Sequence, residues 1–182
     1  TFTLNANSVK DRLTQALTSC NSGGAELNAI ANRLGHPTPD AAAVQAPIIV
    51  VIGSSAGGTG AGIMLDVVDV LRRLGTETIE PILLVYSSDI FGARADAPMA
   101  ANSLMFTSEM MNAYYATGSG STGLFPAPLN PLLRRGPHAV MMLGRKNLGG
   151  MDLVDAQTVY RATALSIAGW ITTPKVRKEV QD

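Results

Sequence analysis

The chain has 182 residues, of which 46% are hydrophobic and 15% charged, with 14 basic and 14 acidic side chains. At this length one α/β domain is expected over residues 1–182, able to bury about two thirds of its unfolded surface without staples. The balanced charge offers no basic surface for counterion release, which argues against nucleic acid as a partner. A single cysteine, Cys20, excludes an internal disulfide, and one cysteine with two histidines makes no common zinc set unless carboxylates join in. No apolar run approaches the length of a membrane span, and the expected compartment is cytoplasmic.

Two helices are predicted ahead of the first strand, over residues 8–20 and 25–34, followed by a Pro- and Ala-rich loop over residues 35–46. Residues 47–53 (PIIVVIG), 80–86 (EPILLVY) and 138–143 (HAVMML) are aliphatic runs without polar alternation, as strands covered on both faces read. Between the first two, residues 62–74 place Ile63, Leu65, Val67, Val68, Val70, Leu71 and Leu74 around most of a helix. Asp66, Asp69 and Arg73 are left as a narrow polar stripe, with Asp69 and Arg73 at pairing distance and both aspartates read as surface charges. Gly75 is placed as the C-cap. Further helices are expected over residues 97–116 and 152–171, with Met105, Met110 and Met111 as packing residues, and a loop over residues 118–136. Strand, helix and strand within forty residues make a βαβ unit, and so a parallel, helix-covered sheet in three layers.

The turn between the first strand and its helix is SSAGGTGAG, formed by Ser54, Ser55, Ala56, Gly57, Gly58, Thr59, Gly60, Ala61 and Gly62. In a parallel sheet such a turn lies beyond the carboxyl ends of the strands and presents backbone N–H groups and a positive helix end. Glycines let a ligand approach the backbone, while the Thr59 and Ser55 hydroxyls are candidate donors to an anion, so a phosphate is the expected occupant. The P-loop pattern is met at Gly53 and Gly58 but has Thr59 where its lysine belongs. The dinucleotide pattern G-x-G-x-x-G finds Ile63 in place of its third glycine. GSSAG, residues 53–57, fits G-x-S-x-G, which would make Ser55 an α/β-hydrolase nucleophile. Against this, His138 opens its strand, on the order of 15 Å from Ser55 at about 3.3 Å per residue, and His36 precedes the first strand.

GGTGAG, residues 57–62, resembles the G-G-T-G-[ST]-G signature loop of tubulin and FtsZ, and especially the bacterial family of uncharacterised tubulin-like proteins. Ala61 stands at the Ser or Thr position. The later order agrees over about residues 44–170: a strand ending in YSSD, a helix near DAPMAANSL, a strand AVMMLGRKN and a long helix. The resemblance implies a partial Rossmann-like nucleotide-binding domain whose signature loop wraps the phosphates of GTP or GDP, with Mg2+. It places Ser87, Ser88 and Asp89 at the next nucleotide-facing loop, Asp96 at the ribose hydroxyls and Asn147 at the guanine edge. A helix N-cap is the competing role for Asp96, and an ordinary turn residue for Asn147. The family's earlier glycine-rich loop has no counterpart before residue 8, since NSGG at residues 21–24 lies between helices. Its acidic loop, which activates water on a neighbour's GTP, would follow the end of this stretch. An internal piece of a longer protein is therefore expected, weak in GTP hydrolysis by itself and part of a head-to-tail homo-polymer when complete. The competing class is a non-catalytic scaffold that has kept the fold and lost the nucleotide.

Overall fold

A computed structural model describes residues 2–22, 24–35, 48–74, 81–94, 96–115, 136–146 and 149–173. Two helices, α1 (Phe2–Ser22) and α2 (Gly24–Arg33), precede strand β1 (Val50–Ser54). Helix α3 (Gly58–Leu74) leads to β2 (Ile82–Tyr86), then to a pair of 3-10 turns over Ser88–Arg94 that join at Gly92, φ 56°. Helix α4 (Ala97–Met110) runs into a single π turn (Met111–Tyr115), and β3 (Ala139–Leu143) and α5 (Ala156–Thr172) complete the order.

The three strands form one parallel sheet in the order β1-β2-β3. Its register runs from Val50, Ile82 and Ala139 at one end to Ser54, Tyr86 and Leu143 at the other. All three predicted strands are present, and β2, the middle strand, is buried from Ile82 through Val85. That is why its sequence shows no polar alternation: neither face meets water. Leu83 and Val85 face Met64, Leu65 and Val68 of α3 and Phe106 and Met110 of α4, with Val51, Val140 and Ala61 at the margin. On the opposite face Leu84, Met141 and Leu143 line a cleft of about 590 Å3 against Val159, Thr163 and Ile167 of α5. Helices on both faces give the three-layer α/β arrangement expected of a partial Rossmann-like domain. Ile52 shares the α5-side face but stays exposed at the β1 edge.

Several local expectations are corrected. Helix α3 begins four residues early, because Gly58, Thr59, Gly60 and Ala61 are already helical. Helix α5 begins four residues late, at Ala156, since Asp152 bridges Lys146 instead and Asp155 caps the helix. Helix α1 extends past both bounds of the predicted segment. Asp69 is not a surface charge: it is 6% exposed and accepts the Tyr114 hydroxyl at 3.1 Å. The same hydroxyl donates to the Leu65 carbonyl at 3.2 Å, so the π turn pins the end of α4 to α3. Of the three methionines only Met110 is buried, while Met105 and Met111 lie on the outer side of α4 and its extension. Gly75, the Arg73 side chain, and the loops over residues 36–46 and 118–135 lie outside the described residues.

Candidate functional site

The chain crosses from β1 to α3 in three residues, with Ser55, Ala56 and Gly57 forming the turn. The Gly57 carbonyl accepts the Ala61 N–H at 3.0 Å, which makes Gly57 the N-cap of α3. Glycine has no side chain to satisfy the N–H groups of the first helical turn, so Gly58, Thr59 and Gly60 begin α3 without a side-chain cap. The other helices at this end of the sheet differ. Asp96 caps α4 through the Met99 N–H at 3.0 Å, and Asp155 caps α5 through the Thr158 N–H at 2.7 Å. A capping carboxylate fills the place that an anion would take, and at α3 no capping side chain fills that place.

Gly60 explains how a glycine-rich segment starts a helix despite a propensity cost of about 1 kcal/mol per glycine. A Cβ there would strike the Ser54 carbonyl oxygen, so only glycine lets α3 lie this close to the end of β1. Gly57, Gly58 and Gly62 are different, because a Cβ on any of them meets nothing within 4 Å. Gly57, Gly58, Thr59 and Gly62 are exposed, forming the outer surface of the turn. Ala61 packs against the core. The position at which this chain departs from the signature loop is therefore one that faces inward here.

Ser54, Ser55 and Ala56 form the underside. The Ser54 hydroxyl donates to the Tyr86 carbonyl at 3.3 Å and accepts the Ala56 N–H at 3.2 Å. Ser55 is 0% exposed; its N–H donates to the Tyr86 carbonyl at 2.9 Å, and its hydroxyl lies 3.2 Å from that carbonyl and 2.8 Å from the Ser103 hydroxyl. The Asn102 amide donates to the Ala56 carbonyl at 2.9 Å. Ser55 thus braces the turn from below and has neither donor turned outward, contrary to the expectation that its hydroxyl meets an anion. The hydrolase alternative falls with it. Ser55 follows the carboxyl end of β1, whereas His138 precedes β3 and bonds the Pro81 carbonyl at the opposite end of the sheet. His36 lies outside the described residues. Asn102 and Ser103 were not legible as loop supports, because α4 reaches the turn only through tertiary packing.

Asp96 is exposed and acts as the N-cap of α4, the local role expected as an alternative to ribose contact. Asn147 lies outside the described residues. Ser87 and Asp89 follow β2 as expected and are tied to the end of β3. The Ser87 N–H donates to the Leu143 carbonyl at 3.0 Å and its hydroxyl bonds Asp89, whose carboxylate accepts the Arg145 N–H at 3.0 Å. Beside them lies a cavity of about 750 Å3 lined by Arg94, Arg145, Val154, Asp155, Gln157 and Tyr160, among others. It opens past the carboxyl ends of β2 and β3, the same edge of the sheet as the glycine-rich turn. At about 4.8 Å per strand spacing, the turn and the β3 end of this cavity stand on the order of 10 Å apart. Nothing in the sequence pattern marked Arg94, Arg145 or Tyr160, since their convergence depends on the sheet.

Among the described residues, Asp66 and Asp155 have displaced proton affinities. Burial, with repulsion from Asp69 and Glu109, raises the Asp66 pKa. The Thr158 backbone N–H, with smaller help from its side chain, lowers that of Asp155. Among the described residues no group of three or more His, Cys, Asp or Glu stands ready for a metal ion, and no helix is long and apolar enough to cross a membrane.

A sequence-family model described as "Tubulin like" matches residues 1–182. No protein of curated function and no solved structure matches the chain. The match spans the whole sequence and agrees with the parallel sheet and its glycine-rich strand-to-helix turn, and on it the chain belongs to the tubulin-like family.

Proposed function

We propose that this chain is the guanine-nucleotide-binding core of a tubulin-like protein, and that it takes GTP or GDP with Mg2+ at the carboxyl edge of its sheet. The observation that carries the reading is the N-terminus of α3. It is capped by a glycine, open where a Cβ would stand on Gly57, Gly58 or Gly62, and set at the edge where parallel sheets bind ligands. The residues present suit a phosphate. Backbone N–H groups of Gly58, Thr59 and Gly60 and the Thr59 hydroxyl serve as donors, with Ser54, Ser55 and Ala56 holding the turn beneath them. Bound Mg2+ would neutralise phosphate charge. The nucleoside extends across the end of β2 toward the cavity at Arg94, Arg145 and Tyr160, a span comparable with the nucleotide itself. Asp96 at the ribose and Asn147 at the guanine edge are carried by the family resemblance. So are hydrolysis, which needs a carboxylate from a neighbouring subunit, and head-to-tail assembly.

Equilibrium binding of a fluorescent GTP analogue in the presence of Mg2+, competed by unlabelled GTP and ATP, tests the reading. GTP is expected to displace the analogue and ATP is not. Gly58→Val is expected to remain folded, since its Cβ meets no protein atom, yet to lose at least about tenfold in affinity, or 1.4 kcal/mol, because the side chain occupies the phosphate position. Gly60→Val is the contrasting variant. It is expected to lose the fold, because its Cβ collides with the Ser54 carbonyl. A folded Gly58→Val protein with undiminished affinity refutes the site assignment, and absence of binding by the wild type favours a scaffold.

A further inference from the structure

Among the described residues Val154 is the one non-glycine residue with positive φ, at 65°. For a β-branched side chain this conformation is disfavoured by roughly 5- to 150-fold in population. Packing does not compensate, because Val154 is 77% exposed. Polar contacts hold it instead. The Val154 N–H donates to Asp152 Oδ1 at 2.9 Å, and that same oxygen is 2.9 Å from Nε of Arg145. The Leu153 N–H donates to the Arg145 carbonyl at 2.9 Å, and the Asp155 N–H to the Leu153 carbonyl at 2.7 Å. Asp155 then caps α5. The strained residue is thus fastened on one side to Arg145 through Asp152 and on the other to the start of a helix.

Arg145, Val154 and Asp155 all line the cavity beside the 3-10 turns. The Arg145 guanidinium lies against Gly92, with Nη1 3.1 Å from where a Cβ would stand, so it is presented to the cavity wall. Its ion pair with Asp152 is partly solvated, at 32% and 41% side-chain exposure, and pairs of this kind are weak. A guanidinium in such a position exchanges partners readily, and a purine edge with two adjacent acceptors, as guanine has at O6 and N7, matches its fork.

We propose that residues 152–155 are a spring-loaded strap on this cavity: a nucleotide base that engages Arg145 draws it from Asp152, leaves the Asp152 carboxylate free to swing away from the Val154 N–H, and lets Val154 relax to negative φ with movement of the start of α5. The proposal rests on the nucleotide reading above, which supplies the ligand. It assigns Val154 and Asp152 as positioning residues that act through Arg145 and the start of α5.

The test is GTP-analogue affinity of the full chain in wild type, Val154→Gly and Asp152→Ala. Glycine has no penalty at φ 65°, so Val154→Gly stabilises the unliganded turn, and affinity is expected to fall by roughly 5- to 150-fold. Asp152→Ala removes the fastening, leaves Arg145 to the ligand and is expected to raise affinity. General damage to the fold would lower both, so opposite signs distinguish a strap from a structural turn. A wild type that binds, with Val154→Gly unchanged or both variants weakened, overturns the strap and leaves the nucleotide reading standing. A wild type that does not bind overturns both.

Discussion

At the scale of single residues, the candidate site is defined as much by missing atoms as by side chains. Gly60 is required by the fold and Gly58 is not, although the two flank Thr59 in the signature and look equivalent in the sequence. The distinction depends on where the Ser54 carbonyl lies, and that position is set by the pairing of β1 with β2. Asp66 shows a similar dependence. It reads as a solvated helix charge, yet it is half-buried beside Asp69 and Glu109, so ionisation is disfavoured and the folded state holds its proton more tightly than the unfolded chain. Stability from this residue is therefore present in acid and falls as pH rises from the ordinary carboxylate range through the raised pKa. Asp66→Asn is expected to raise the thermal midpoint at neutral pH, with the advantage shrinking to nothing in acid, where the wild-type carboxyl is protonated as well. Thermal unfolding of both proteins across that range checks it; a lower midpoint for the variant at neutral pH contradicts the electrostatic account.

At the scale of elements, the helices differ in how they begin, and that difference carries the proposed phosphate site. Helices α4 and α5 each have an aspartate N-cap, and α3 has a glycine. Asp155 has a lowered pKa because the Thr158 N–H favours its ionised form. Its contribution is thus present above the ordinary carboxylate range and lost as pH falls through the depressed value. Asp155→Ala is expected to lower the thermal midpoint at neutral pH and to converge with wild type in acid, whereas Asp155→Asn, which caps without a charge, is expected to show a flatter pH dependence. Unfolding midpoints at several pH values decide between them. A pH-independent loss in Asp155→Ala would show that packing rather than the cap was disturbed. The existence of the strands was legible because burial on both faces of β2 leaves an aliphatic run. The helix starts were not, because Gly58 to Ala61 and Asp152 to Asp155 are governed by contacts with β1 and with Arg145.

At the scale of the whole molecule, the sheet gathers the glycine-rich turn, Asp96, the Ser87 to Asp89 segment and the Arg145 cavity along one edge, although they are spread over about a hundred residues. If the family resemblance extends to assembly, the subunits join through two different surfaces, a heterologous contact that propagates. The full protein is then expected to pellet with GTP and Mg2+ and to stay in the supernatant with Gly58→Val, as sedimentation would show. Wild-type protein that binds GTP and never pellets separates nucleotide binding from polymerisation.

The sequence by itself determined the α/β class, the three strands and the glycine-rich turn, because hydrophobic periodicity and glycine content act locally and survive in one dimension. It also pointed to the tubulin-like kinship, through the resemblance of GGTGAG and the order of elements around it, and the family match over residues 1–182 bears that kinship out. Only the tertiary structure decided which members of that turn face outward, that Ser55 is a buried brace, and that Asp69 lies inside. It alone brought Arg145 and Asp152 onto a strained Val154. These depend on strand register and helix packing, which bring together groups far apart in the chain and set how closely each can approach.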